Sequence, residues 1–399
     1  MKKTVKDIDI KNKKVIMRVD FNVPLDKETN SKITDTTRVD AAMPTIEYIL
    51  SQGASLILMS HLGRPKGEAN PKYSLKPVYD YLKTKLPNNK VIFANDCIGE
   101  EVKKTAGSLN AGDVLLLENL RYHAEEEKND ANFSKQLADL ADVYVNDAFG
   151  TAHRAHASTA GIVAAKPSMP AVAGFLMEKE IKYLGDAVAE PKRPFVAIIG
   201  GAKVSSKISV LKNLLNKVDT LIVVGGMAYT FFKAKGYEIG TSLCEDDYIQ
   251  TAKEIMDKAK ELNKTLYLPI DNVVADKFDN DANKKIVDCN AIPSGWMGMD
   301  VGDKTLKEIE NILKNAKTIV WNGPLGVFEM SNFAKGTFET AKFIANSGAV
   351  SIIGGGDSVS AVNKSGVADK MTHISTGGGA SLEFLEGIEL PGIKVLQDK

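Results

Sequence analysis

Short apolar runs alternate with helically spaced stretches along almost all of this 399-residue chain, and this alternation narrows the possible folds most. In the first half KVIMRV (14–19), ASLILM (54–59), KVIFA (90–94), DVLLLE (113–118) and DVYV (142–145) read as strands covered on both faces, because their Val/Ile/Leu content is continuous. Between them Val39, Ala42, Met43, Ile46, Ile49 and Leu50 mark one helix face, as do Leu75, Val78, Tyr79 and Leu82, and Phe133, Leu137 and Leu140. In the second half five apolar runs each end in glycines: VAIIGGAK (196–203), LIVVGGM (221–227), TIVWNGPLG (318–326), VSIIGGGDS (350–358) and THISTGGGAS (372–381). Helices are expected near 205–217, 245–262, 304–315, 335–346 and 357–364. Strict β/α alternation predicts α/β architecture with doubly wound parallel sheets. A closed (β/α)₈ barrel is the competitor, but the length and a change of character midway favour two open sheets in two domains.

That change lies near 175–195, where a polar helix runs into Pro191 and Pro194. The expected division is 1–175, an interdomain helix over 176–190, and 191–387. The 51 basic and 51 acidic residues cancel, which argues against a dedicated binder of nucleic acid or anionic membrane. Cys97, Cys244 and Cys289 are far apart, and no pair has metal-ligand or disulfide-framework spacing. The N-terminal stretch lacks a signal-peptide core, and no apolar run is long enough to span a bilayer. A soluble protein of the cytoplasm is expected.

A buried strand that turns through glycines into a helix start is an anion-binding device, since free N–H groups and the helix dipole favour negative charge. Five such junctions suggest a polyphosphate ligand. Lys203 and Lys207 are placed to meet a phosphate from one of these turns. Asp357 and Ser358 begin another helix, where a carboxylate either caps the helix or holds nucleotide-borne Mg²⁺. STGGGAS offers a row of backbone amides suited to developing phosphoryl charge, and Glu329 is a candidate acceptor for ribose hydroxyls. In the first half, polar side chains, most of them basic, recur just past separate strands: Arg18, Asp20 and Asn22; His61 and Arg64; Asn119, Arg121 and His123; His153, Arg154 and His156. Arginine forks at strand ends suit a small anion with more than one negative group. The Walker A, G-x-G-x-x-G, protein-kinase, H-E-x-x-H and nucleophile-triad patterns are all missing.

VDFNVP (19–24), SHLGRP (60–65), LLLENLRYH (115–123), NDAFGTAHRAHAS (146–158), GGAKVSSKI (200–208), GGMAYTF (225–231), WNGPLGVFE (321–329), GGGDS (354–358) and STGGGASLEFLEG (375–387) resemble, in order and over the whole chain, the signature stretches of the phosphoglycerate kinase family. The resemblance implies reversible phosphoryl transfer between ATP and 3-phosphoglycerate, giving ADP and 1,3-bisphosphoglycerate, by direct in-line transfer with closure of two domains. It implies that Asp20, Phe21, Asn22, Arg38, His61, Leu62, Gly63, Arg64, Arg121 and Arg154 hold phosphoglycerate. Lys203, Lys207, Gly295, Glu329, Gly355, Gly356, Asp357 and Ser358 would hold the nucleotide, with Asp357 on Mg²⁺. Arg38, Lys203 and the amides around Gly378 would surround the moving phosphoryl group. The resemblance also implies a monomer whose tail, 388–399, packs back on the N-terminal domain. One departure is local: Ser206 precedes Lys207 where the family often has an acidic residue, and the serine is expected to start or cap the helix. Another is Val224, where some relatives carry a third glycine. The rival reading is a non-catalytic protein that binds the same ligands.

Overall fold

Most of the continuous aliphatic runs become buried inner strands, whereas KVIFA (90–94) forms a half-buried edge strand. The structure, a computed structural model, describes residues 1–399, the side chains of residues 186 and 187 apart. The chain forms two compact units, Met1–Ile181 with Glu389–Lys399, and Lys182–Ile388.

In the first unit β1 (Lys14–Arg18), β2 (Ser55–Met59), β3 (Val91–Phe93), β4 (Val114–Leu116), β5 (Val143–Asn146) and β6 (Ala171–Ala173) form one parallel sheet in the order β3-β4-β2-β1-β5-β6. Short β6 was not expected; AVA is too brief a run to show a period. From β1 the chain winds to one side through β2, β3 and β4, then returns to pair β5 against the other edge of β1. The carboxyl ends of β1 and β5 therefore flank the topological switch point, where ligands sit in such sheets. Helix Thr37–Ser51 lays Val39, Ala42, Met43, Ile46 and Ile49 on the sheet, in a core shared with Val15, Met17, Leu56 and Leu58.

The second unit repeats the plan with β7 (Phe195–Ile199), β8 (Thr220–Val223), β9 (Thr265–Tyr267), β13 (Thr318–Asn322), β14 (Val350–Gly354) and β15 (His373–Ile374), ordered β15-β14-β13-β7-β8-β9. Its switch point lies between β7 and β13, which pair in parallel from Phe195↔Thr318 to Ile199↔Asn322. Trp321, fully buried, anchors the core below that edge.

Three further features differ from expectation. A separate antiparallel sheet, β11-β10-β12, is built from β10 (Asp271–Ala275), β11 (Lys284–Asp288) and β12 (Met297–Val301). Its hairpin turns through FDNDAN, where Asp276 accepts from the Asn283 N–H and side chain, and β11 is mostly exposed. The segment after 175 is not one uniform helix: an α-helical turn, Phe175–Glu180, widens to a π-type stretch, Ile181–Asp186, before Ala187–Ala189. The helix expected from 205 starts only at Ile208, so the two lysines precede it. Among the described residues no helix is long and apolar enough to cross a membrane.

Candidate active site

The first unit gathers its charge around a buried arginine. Arg18, the last residue of β1, is fully buried. Its Nε donates to Ser158 Oγ at 2.8 Å, one terminal nitrogen donates to the Val19 carbonyl, and the other donates to His61 Nδ1 at 3.1 Å. Ser158 passes the contact on: its Oγ and N–H donate to the two oxygens of buried Glu126 at 2.5 and 3.0 Å. The Arg18 charge is thus balanced from within, as a buried cation requires. Because the guanidinium donates to Nδ1, the His61 ring accepts there and carries its proton on Nε2. Burial and the nearby Arg18, Arg121 and Arg38 charges hold the His61 pKa well below the ordinary histidine value, so the ring is a neutral N–H donor. His156, buried beside Arg121, Arg18 and Arg154, is pushed down to about 4 by burial first and those charges second.

Around this core stand the groups that reach solvent. Arg38 lies in the first turn of helix Thr37–Ser51, where a cation adds to the positive end of the dipole instead of offsetting it. Asp20 Oδ2 accepts from Arg38 Nη1 at 2.6 Å and keeps the guanidinium in place. Asn22 Oδ1 accepts the Gly63 N–H at 2.9 Å, and Arg121 Nη1 donates to the Gly63 carbonyl at 3.1 Å, so the loops after β1, β2 and β4 are tied at one residue. Arg64 and Arg154 are exposed. Asn119 is the hub that sequence reasoning left without a role. Its Oδ1 accepts from the Leu62 and Arg121 N–H groups, and its Nδ2 donates to the Leu62 and Tyr73 carbonyls at 2.7 and 2.8 Å.

Among the expected ligand residues, Phe21, Leu62 and Gly63 also carry local structure. Phe21 and Leu62 point into the apolar core, and their amides already donate to Ser60 Oγ and Asn119 Oδ1. Both residues shape the turns that carry their polar neighbours. Gly63 likewise spends its N–H and carbonyl on Asn22 and Arg121.

In the second unit the switch point is closed by backbone packing. A Cβ on Gly200 would lie 2.1 Å from the Pro324 carbonyl, and one on Gly323 would lie 2.2 Å from that of Gly200. These glycines are therefore required for strand-end packing before any ligand is considered. Lys207 Nζ donates to Asn322 Oδ1 at 2.5 Å. Burial lowers the Lys207 pKa, with Asp357 and Glu386 opposing. Asn322 Nδ2 is buried with no partner, an orphan donor that a bound oxyanion would satisfy; the Asn before Gly-Pro at a strand end was the unused signal. Lys203 is exposed, and Ser206 Oγ donates to the Lys203 carbonyl at 2.9 Å instead of capping the helix.

Helix Gly356–Lys364 opens after Gly355 with no side-chain cap, so exposed Asp357 in its first turn leaves its carboxylate available to a cation. Ser358, expected to contact nucleotide, is fully buried, and its Oγ accepts from the Gly323 N–H at 2.6 Å. Only its backbone can face a ligand. Gly378, at φ 53°, precedes helix Gly379–Leu385. The Gly377 N–H donates inward to Ser375 Oγ at 3.1 Å, so the amide row narrows to the exposed Gly378 and Gly379. Glu329 is exposed in the loop after β13, and Gly295 turns, at φ 77°, into β12 of the antiparallel sheet. A neutral-histidine, multi-arginine cluster in one unit and lysines, amides and a free carboxylate in the other suit phosphoryl transfer between two anionic ligands.

Comparison with known proteins gives the same direction. The family model described as phosphoglycerate kinase matches residues 5–388. A phosphoglycerate kinase of Clostridium botulinum (strain Hall) is 58% identical over 400 residues, covering 100% of this chain and 99% of that protein. The Arabidopsis thaliana protein named phosphoglycerate kinase 3, cytosolic, is 58% identical over 398 residues, covering 99% of this chain and 98% of that protein. Among solved structures, phosphoglycerate kinase from Coxiella burnetii superposes with a TM-score of 0.91 at 42% identity, covering 99% of this chain and 98% of that one. The Pyrococcus horikoshii OT3 enzyme gives 0.80 at 34%, covering 98% of each chain.

Proposed function

This chain belongs to the phosphoglycerate kinase family and catalyses reversible transfer of the ATP γ-phosphoryl group to the carboxylate of 3-phosphoglycerate, a step of glycolysis, and on that premise we propose how its residues divide the work. The non-catalytic reading is not favoured. The acceptor is already an anion at neutral pH, so no general base is needed, and catalysis rests on position and neutralised charge. Arg38, Arg64, Arg121 and Arg154, with the His61 N–H, bind 3-phosphoglycerate; Asp20 and Asn22 hold Arg38 and the Gly63 turn in place. Lys203, Lys207, Asn322 and the helix start at Gly355–Ser358 bind the nucleotide phosphates, with Glu329 and the Gly295 turn nearer the nucleoside. Asp357 would hold the Mg²⁺ that nucleotides carry, which would draw charge from the phosphate oxygens. Arg38, Lys203 and the Gly378 and Gly379 amides then meet the phosphoryl group in transit.

The observation that carries this assignment is the Asp20-held Arg38 at a helix N-terminus, a cation left without dipole compensation beside a cluster of further arginines. Arg38→Ala and Lys203→Ala should each lower kcat by about 10²-fold or more. The assay follows ATP consumption that depends on 3-phosphoglycerate, and a kcat near wild type in a folded variant removes that residue from the mechanism. The two ligands bind to separate units, so we propose a closing motion that brings them together and excludes water. Small-angle scattering with both ligands should show a smaller radius of gyration than with either alone. An unchanged radius counts against closure. We further propose a cytoplasmic monomer, to be checked by light scattering on the eluted protein.

A further inference from the structure

Asp96, Cys97 and His123 take no part in the roles assigned above. Asp96 and Cys97 follow β3, and His123 ends the turn Leu120–Tyr122 after β4. Carboxylate, thiol and imidazole each bring a ligand atom within 4.8 Å of the other two. A tetrahedral ion with bonds of about 2.0–2.3 Å holds its ligands roughly 3–4 Å apart, so small side-chain movements close the set. Asp96 is already fixed, because its Oδ1 accepts the Cys97 N–H at 2.6 Å and faces His123 Nε2 at 2.7 Å. The Asp96 and His123 side chains are 49% and 28% exposed, whereas Cys97 is fully buried. The thiol thus forms the floor of a site whose other two ligands open to solvent, giving an ion a route in.

The geometry points to a binding site for one zinc-type divalent ion, held by Asp96, Cys97 and His123 with a fourth position left to water. Sulfur and imidazole donors select zinc or cobalt over magnesium, which separates this site from the nucleotide's cation. On binding, the Cys97 S–H bond breaks, its proton leaves to solvent, and the sulfur–metal bond forms. At His123 the N–H that Nε2 turns towards Asp96 Oδ1 breaks, the neutral imidazole keeps its one proton on Nδ1, and the freed Nε2 lone pair bonds to the metal.

Cobalt(II) is the probe, titrated into the full-length, nucleotide-free protein in excess Mg²⁺. The expected result is a thiolate-to-cobalt charge-transfer band that saturates at one equivalent and disappears on adding zinc. Cys97→Ser should abolish the band, and His123→Gln should weaken cobalt binding by at least about tenfold. No band in the wild type overturns the proposal. A band that survives Cys97→Ser does the same, since it assigns the ion to Cys244 or Cys289. If Cys97→Ser does not fold, His123→Gln decides alone: a band unchanged in height and midpoint overturns the site.

Discussion

His61 and His156 sit buried among arginines, and burial and like charge together keep both rings neutral. For His156 the sign is definite. Its pKa in the fold is about 4 against 6.5 in the unfolded chain, so as pH falls through that window the unfolded state takes up a proton that the native state refuses. Its contribution to stability is therefore lost as pH falls from 6.5 towards 4. Asp147 and Asp300, raised by burial to about 6 and about 7, act in the opposite sense, because there the native state binds the extra proton. They remain in a His156→Gln variant, so the difference between the two proteins isolates the histidine. Urea midpoints at pH 7, 6 and 5 should fall more steeply for wild type than for His156→Gln. Parallel slopes would show that His156 takes up its proton in the fold as readily as in the unfolded chain. The sequence shows the arginines and histidines of this cluster at the strand ends, but not which are spent inside. Arg18 and Arg64 both follow strands; Arg18 is locked to Ser158 and His61, while Arg64 is exposed. That difference depends on Glu126 and Ser158, which lie more than a hundred residues beyond Arg18.

Among the elements, the glycine-ended strands have two separate uses that one sequence pattern cannot distinguish. Gly200 and Gly323 lie where β7 and β13 end against each other, and backbone atoms fill the space a Cβ would need. Gly356 opens a helix, and nothing lies within 4 Å of the Cβ it lacks. Gly200→Ala should therefore destabilise by about 1–3 kcal/mol or more, because carbonyls cannot swing aside as a side-chain tip can. Gly356→Ala should leave stability unchanged or raise it by about 0.4–1 kcal/mol. If phosphate oxygens approach that helix start closely, Gly356→Ala also raises KM for ATP several-fold. Denaturant titration and steady-state kinetics on the same two variants test both halves. An unchanged KM would mean that the nucleotide keeps its distance from Gly356. The strands themselves are legible because burial on both faces leaves continuous aliphatic runs. The antiparallel sheet is not, since β11 (KKIVD) has only two apolar residues and one of them, Ile286, is exposed.

For the molecule as a whole, the first unit is closed by residues that the chain adds last. Leu390, Ile393 and Leu396 are buried at 0%, 7% and 2% exposure, and Gly392 packs so tightly that a Cβ would lie 2.9 Å from Ala152 Cα. Buried Asn146, at the end of β5, donates its Nδ2 to the Gly392 carbonyl at 2.9 Å. The Lys3 N–H donates to the Gln397 carbonyl at 2.8 Å, and Lys2 Nζ reaches the Leu396 carbonyl at 2.8 Å. The tail therefore supports the β5 side of the switch point although the whole second unit separates it in sequence from that sheet. Removing residues 389–399 would take away three buried apolar side chains and uncover the apolar surface beneath them, a loss of about 5–9 kcal/mol as an upper figure. A domain's whole stability is roughly 5–15 kcal/mol, so the first unit should unfold or become marginal. The second unit contains none of those residues and should keep its own core. Hydrogen exchange on the truncated chain should thus show protection lost in β1 and β5 and kept in β7 and β13. Nucleotide binding should persist, while 3-phosphoglycerate binding and turnover disappear. Wild-type protection in β5 would mean that the tail only covers a unit already stable without it.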